Sequence, residues 1–584
     1  MLKPYQDYTD LQKRNWNIFA WSAFILAFGY MLWRAPYGFA SFDETFYLTI
    51  PYRLSQGAAL FVDEWHGSQL ISFLLYPLMK LFLTVSPDAE GMVLAFRHFY
   101  VVLNTLVCVL IYLSGRKISP PAALAAALSL MLFAPYSVRT LSYNSMGVLF
   151  VASACFAAAA QGAEKRNMLL CGLCFAAAVL CCPYLLIVFL LYCISVPVVY
   201  IISKKHGNTL YEKAYALKPT AFISFCVGAG IVLIVFCVFL LSRTGIGDLI
   251  ENIPYVLSDP EHGSPDLAYD LKRFIGAFYR HSDQAPFVIF ACAALLSIIA
   301  FDKGRKKRRA LYMVFVVVLT AVYSLTDLES PNVNFFMFPL CVLGVFAFVL
   351  SENKQWKLLL NVFVPGWLYS LCMHFTSNQW YLAICLALSV SSAASVFFVA
   401  QLAKEIHDSC EKNGLKKVVT AAFAVLMALQ LSVQLYSSVY HVDYEPPLWN
   451  LNTKIESGVQ KGIVTGEAKA ERYYAVVEDT DKIRMQTEGY CLYLSDDVWL
   501  LLTDKKPSAA YSGWLGYEYP EDSAKRLVDY WKLRPEKLPE NIYVKDEFYY
   551  GFKDSIYGES IIKVFEPLGY TVEIGETGYF LKLK

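Results

Sequence analysis

Runs of about 20 apolar residues, separated by short polar or basic segments, recur from residue 16 to residue 439. A helix of that length crosses a hydrocarbon core of about 30 Å. The runs lie at about 16–34, 95–114, 121–138, 143–161, 167–182, 184–203, 219–241, 286–301, 309–326, 333–350, 357–373, 379–402 and 417–439, which predicts thirteen spans. The fifth and sixth form one apolar stretch broken by Pro183, which predicts a tight hairpin. After Tyr440 the pattern changes. Short runs such as "GIVTG", "CLYLS", "NIYVK" and "GYTVEIGETGYFLKLK" predict strands, and "PEDSAKRLVDYWKL" predicts a helix with Pro and acids in its first turn. The fold class expected is an α-helical polytopic membrane protein, residues 1–440, followed by a small α/β domain, residues 441–584.

Basic residues set the expected topology. Lys13 and Arg14, Arg116 and Lys117, Lys165 and Arg166, Lys204 and Lys205, the run 303–309, Lys354 and Lys357, and Lys416 and Lys417 occupy alternate connections. Positively charged loops stay in the cytoplasm, so the N-terminus is expected inside and the C-terminal domain outside, in a multi-pass plasma-membrane protein. Counting the run 68–85 as a further span would break this alternation, so it is read as interfacial or re-entrant. The segment 35–94 then becomes one large outer loop. No cleavable signal is expected, because the N-terminus is polar and the first apolar run is long enough to span.

Composition agrees. Of 584 residues, 57% are hydrophobic and 17% charged, with a mean hydropathy of +0.42, unlike a soluble chain of several domains. The net charge is +1 and the basic residues are explained by topology, so nucleic acid is not an expected partner. Thirteen of the 15 Cys lie in apolar segments and read as small hydrophobes, Cys171-x-x-Cys174 included. Cys410 lies in a basic loop, and Cys491 is alone in the C-terminal region.

The candidate chemistry lies in the outer loop, where two Asp-Glu pairs sit among aromatic residues. Ser41, Glu44 three residues later and Gly57 suit a capped helix, "DETFYLTIPYRLSQG", on which Asp43 and Glu44 are solvated end residues. The other reading places one carboxylate in a membrane-edge cavity, as a base for a hydroxyl or a ligand for a divalent metal. Asp63, Glu64 and His66 form a second cluster, read either as metal ligands or as the polar rim of an acceptor site. Arg97 and Arg139 each flank an apolar run on the expected outer side, where a guanidinium can pair with a phosphate or reach lipid headgroups. Lys272, Arg273 and Arg280 suit a phosphate-steering patch or an amphipathic helix lying on the bilayer.

"FDETFY", Gly57, the apolar helix ending "YPLMKLF" and "LAFRHFYVVLNTLVCVLIYLSGRK" resemble the start of a GT-C integral-membrane glycosyltransferase. The nearest groups are the protein O-mannosyltransferases and the bacterial aminoarabinose transferases. The resemblance covers about 35–350. It implies transfer of a sugar from a polyprenyl-phosphate donor to a glycan, lipid or protein hydroxyl on the outer face, with inversion. It makes Asp43 the catalytic carboxylate, Glu44 its neighbour and Arg97 the anchor of the donor phosphate. The chain departs from the group in three places. "DEWHGSQL" has no Lys, Cys182-Pro183-Tyr184 replaces a basic turn, and a late loop offers Asn332 and Asn334 instead of a basic residue. A flippase of lipid-linked sugars and a non-catalytic glycan-assembly partner are the competing readings. Nearly charge-free spans and one-sided polar clusters favour surface chemistry over transport.

Overall fold

The computed structural model describes the chain from Pro4 to Lys584 except for 40–41, 134–138, 161–164, 208–218, 259–266, 281–292, 295–336, 377–379, 410–412, 441, 443–444, 495–505, 510–519 and 546–554. It is mostly helical. In chain order the helices are α1 (Asp10–Arg34), α2 (Phe42–Ser55), α3 (Ile71–Val85), α4 (Met92–Gly115), α5 (Pro120–Leu132), α6 (Tyr143–Ala159), α7 (Lys165–Cys181), α8 (Leu185–His206) and α9 (Pro219–Leu241). Then come α10 (Ile246–Leu257), α11 (Leu267–Arg280), α12 (Met337–Leu350), α13 (Trp356–Thr376), α14 (Trp380–Ser409) and α15 (Asn413–Tyr440).

Seven of the described helices are long and apolar enough to cross a membrane: α1, α4, α8, α9, α13 and the segments Tyr381–Ser409 and Thr420–Tyr440. Helices α3, α5, α6 and α12 are apolar but shorter. The expected spans at 286–301 and 309–326 lie outside the described residues. Helix α1 begins six residues before the apolar run, because Thr9 and Gln12 form a reciprocal capping box that starts it in polar sequence. The hairpin expected at Pro183 joins α7, ending at Cys181, to α8, starting at Leu185. Helix α14 is the axis of the bundle, with 94% of its most apolar window buried. Its serines let neighbours approach closely: a Cβ at Gly344 or Gly366 would come within 2.1–2.2 Å of the Ser395 or Ser391 hydroxyl.

The C-terminal region carries a two-stranded pair, β1 (Thr453–Lys454) with β2 (Val464–Thr465), and a mixed five-stranded sheet. The sheet runs β4 (Lys506–Pro507), β3 (Tyr490–Leu494), β5 (Asn541–Lys545), β7 (Gly578–Leu583), β6 (Tyr570–Ile574). Strand β3 is parallel to β4 and β5, whereas β7 is antiparallel to both its neighbours. Helices α16 (Glu467–Gln486), α17 (Pro520–Leu533) and α18 (Ser555–Phe565) accompany it. Helix α17 buries Ala524, Leu527, Tyr530 and Trp531, an apolar stripe at helical spacing, against the sheet.

Candidate active site at the domain end of the bundle

Helix α2 and the start of α4 meet beneath the C-terminal unit. Glu44 is fully buried, and its two carboxylate oxygens take Arg97 Nε at 2.8 Å and Nη2 at 2.6 Å. Arg97 also donates to the carbonyls of Ala35 (2.7 Å), Tyr37 (3.4 Å) and Gly38 (2.8 Å). A guanidinium has five N–H groups, and these five contacts use them all. In this arrangement Glu44 is the buried counter-charge of Arg97, and Arg97 braces the 35–38 turn with all its N–H groups engaged.

That turn is held from above as well. Gly38 N–H donates to Val464 O (2.9 Å), Val464 N–H to Pro36 O (2.8 Å), and Phe39 N–H to the Glu445 carboxylate (2.8 Å). Gly38 is required here: its φ is +94°, and a Cβ would lie 2.5 Å from the Val442 side chain.

Asp43 is the second residue of α2. Phe46 and Tyr47 follow on the same helix. Phe46 meets the His66 ring edge-on at 4.8 Å, and Tyr47 meets Tyr143 at 5.4 Å. His66 and Tyr143 line a cavity of about 490 Å³. Most of its wall is apolar, including Phe61, Leu186 and Leu257, and its polar groups come from His66, Ser68, Gln69 and Thr376. His66 Nδ1 accepts from the Ser68 N–H (3.1 Å), so the neutral ring carries its proton on Nε2. Gln69 Oε1 accepts from the N–H of Phe61 (2.6 Å), whose φ of +67° is strained for a side chain of that size. Gln69 Nε2 is buried with no acceptor among the described residues.

Arg139 presents the inverse of Arg97. It lies in the connection between α5 and α6 and is 5% exposed, and neither Nη meets an acceptor among the described residues. Its guanidinium lies 5.7 Å from the Tyr30 ring. Burial first, and then the nearby Arg97 charge, push its pKa below the ordinary value, while Tyr30 and Tyr100 act the other way. It remains a cation at physiological pH, because arginine starts so high. Sequence position does not separate the two arginines; only their acceptors do.

The second acidic pair fastens the loop to the C-terminal unit. Asp63 accepts from Tyr530 Oη (3.0 Å), the Ala59 N–H (2.8 Å) and Lys537 Nζ. Burial opposes its charge, but Lys537 and these hydrogen bonds hold its pKa below the usual carboxylate range. Burial and then Asp63 push the Tyr530 phenol up, which keeps it a donor. Glu64 pairs with Arg53 (3.2 Å), which also donates to the carbonyls of Asp63 (2.9 Å) and Ala509. Between them Trp65 is 1% exposed, stacked on Tyr255 at 4.5 Å and edge-on to Tyr530 at 5.7 Å, with Nε1 donating to Asn252 (3.0 Å). Asp63 and Glu64 thus tie the loop to the C-terminal unit, with their oxygens engaged by Tyr530, Lys537 and Arg53. Among the described residues no three His, Cys, Asp or Glu converge as a metal site requires. Asn332 and Asn334 lie outside the described residues.

No family profile matches the chain, and no curated protein matches it. Solved structures with a similar backbone include two of an archaeal enzyme. One is the archaeal oligosaccharyltransferase AglB from Archaeoglobus fulgidus, in complex with an inhibitory peptide and a dolichol-phosphate. It is 12% identical, with a TM-score of 0.44 over 97% of this chain and 74% of that one. The other is the Archaeoglobus fulgidus oligosaccharyltransferase tethered to an acceptor peptide, 11% identical, with a TM-score of 0.40 over the same shares.

Proposed function

We propose that the chain is a membrane glycosyltransferase that moves a sugar from a polyprenyl-phosphate donor to an acceptor hydroxyl on the outer face of the membrane. The observation that carries this reading is the buried Arg139 guanidinium, close to Arg97 and Tyr30, whose two Nη atoms meet no acceptor among the described residues. Buried N–H groups of a cation left unsatisfied are costly, and a phosphate is their natural complement.

In this scheme Arg139 holds the donor phosphate, and the apolar cavity receives the first part of the isoprenoid chain. Asp43 takes the proton from the acceptor hydroxyl as its oxygen attacks the anomeric carbon. The bond from that carbon to the phosphate oxygen breaks, and the carrier phosphate leaves with its charge against Arg139. Direct displacement without a covalent enzyme intermediate inverts the anomeric centre. His66 Nε2 and Gln69 Nε2 supply donors for sugar hydroxyls, and Asn332 and Asn334 are the further polar contacts expected from sequence. No step requires a divalent metal.

The test is donor turnover by the purified protein in lipid nanodiscs, with a panel of polyprenyl-phospho-sugars and release of polyprenyl phosphate as the signal. Asp43→Asn keeps the shape and the capping ability of the side chain but removes the base. It is expected to abolish release while leaving the fold intact. Wild-type turnover in a well-folded Asp43→Asn protein would overturn the assignment.

A further inference from the structure

Outside the long apolar spans, α10 carries a contiguous exposed apolar surface. Ile246 (65% exposed), Ile250 (68%), Ile253 (42%) and Leu257 (78%) recur at i, i+4, i+7 and i+11, so they form a single stripe along the helix. The neighbouring face is engaged. Asn252 accepts from Trp65, Tyr255 stacks on that indole and its carbonyl accepts from Arg526. The acids Asp248 and Glu251 lie off the stripe, and Arg534 approaches Asp248 at 3.8 Å. Helix α10 thus has a protein side, an acidic side and an apolar side.

We infer that the apolar side of α10 lies in the outer leaflet of the bilayer, so that the C-terminal unit and the 59–67 loop rest on lipid through this helix. Continuity selects lipid over other occupants. The last turn of α9, a long apolar helix, exposes Val238 (65%) and Leu241 (53%), and only residues 242–245 separate it from Ile246. Arg243 fixes that corner by donating to Leu54 O and Tyr76 Oη, both at 2.8 Å. A helix with one apolar face and acids elsewhere settles in the interfacial plane. Leu257 belongs both to the stripe and to the cavity wall, so the cavity mouth opens at the leaflet. The inference holds whether or not the chain transfers sugar.

Photocrosslinking of the full-length protein in nanodiscs of phosphatidylethanolamine and phosphatidylglycerol tests it. Ile250, Glu251 and, as a lipid-facing control on α9, Ile234 are each replaced by p-benzoyl-phenylalanine, and intact mass is read after illumination. The expected result is a phospholipid adduct at 250 and 234 and its loss at 251. A crosslink from 250 to a second copy or to another part of the chain would overturn the inference. So would equal adducts at 250 and 251, or no lipid adduct at 250 when 234 carries one.

Discussion

Replacing Glu44 by Gln separates the two accounts of Arg97. Glu44 supplies the only carboxylate bound to Arg97 among the described residues, through two charge-assisted hydrogen bonds in a fully buried site. Bonds of that kind contribute about 1.5–3 kcal/mol each. Gln retains one acceptor oxygen, but its amide N–H turns a donor toward an Arg97 N–H and removes the charge. Removing one partner of a buried ion pair costs about 3–5 kcal/mol, and the same range is expected here. Arg97→Met should also destabilise, because it leaves the carbonyls of Ala35, Tyr37 and Gly38 without donors. The double variant should be more stable than the two single losses added together, with a coupling of up to about 3 kcal/mol. Reversible unfolding in mixed micelles, followed by tryptophan fluorescence, measures the cycle. Two results would refute the brace. One is Glu44→Gln within about 0.5 kcal/mol of the parent chain, the scale of an inert substitution. The other is a full loss of donor affinity in Arg97→Lys with unfolding unchanged, which would return Arg97 to the phosphate.

Arg139→Gln should weaken the apparent affinity for the lipid donor by about tenfold or more while leaving stability equal or improved, since it removes a buried charge whose Nη atoms meet no acceptor among the described residues; a drop in stability with unchanged affinity would count against the anion site. Asp63 has a depressed pKa, so its contribution to docking is complete above the ordinary carboxylate value of about 4 and is lost as pH falls through the lower folded value. Hydrogen exchange in 59–67, corrected for intrinsic rates, should therefore rise steeply in acid, and in Asp63→Asn should be raised at neutral pH with little further acid response. A reporter active only in the cytoplasm, fused after Lys584, should stay silent; a strong signal would reverse the proposed topology and place the candidate site on the wrong side.

What the sequence reveals follows from the range of the forces involved. The apolar runs, the Pro183 break and the acids at the start of α17 are local signals, and among the described residues helices form close to where the pattern places them. Gly57, with φ +104°, lies just past the end of α2, as a helix stop should. Helix α16 was not legible, because its sequence, "EAKAERYYAVVEDTDKIRMQ", is largely polar and the one face it buries mixes Asp479 and Thr480 with Tyr473, Val476 and Ile483. The site depends on partners far apart in the chain. Glu44 and Arg97 are 53 residues apart, and Asp63 and Lys537 are 474 apart. An acid three residues after a Ser reads as a cap until the arginine that claims it is known. Gln69 stands out, and Arg139 parts from Arg97, only because Gln69 Nε2 and the Arg139 Nη atoms meet no acceptor among the described residues, which is a property of the folded chain.

Trp65 has a consequence for the order in which the molecule matures. Its side chain belongs to the core formed by Leu492, Leu527, Tyr530 and Ile542, all supplied by the last part of the chain to be synthesised. Through most of translation the indole and its flanking acids have no place to go, and the wall that carries His66, Ser68 and Gln69 is unsupported. The cavity is completed only when the C-terminal sheet closes over a residue made long before it. A protein truncated within the final sheet is therefore expected to lose the support of the wall that carries His66, Ser68 and Gln69, along with its cover.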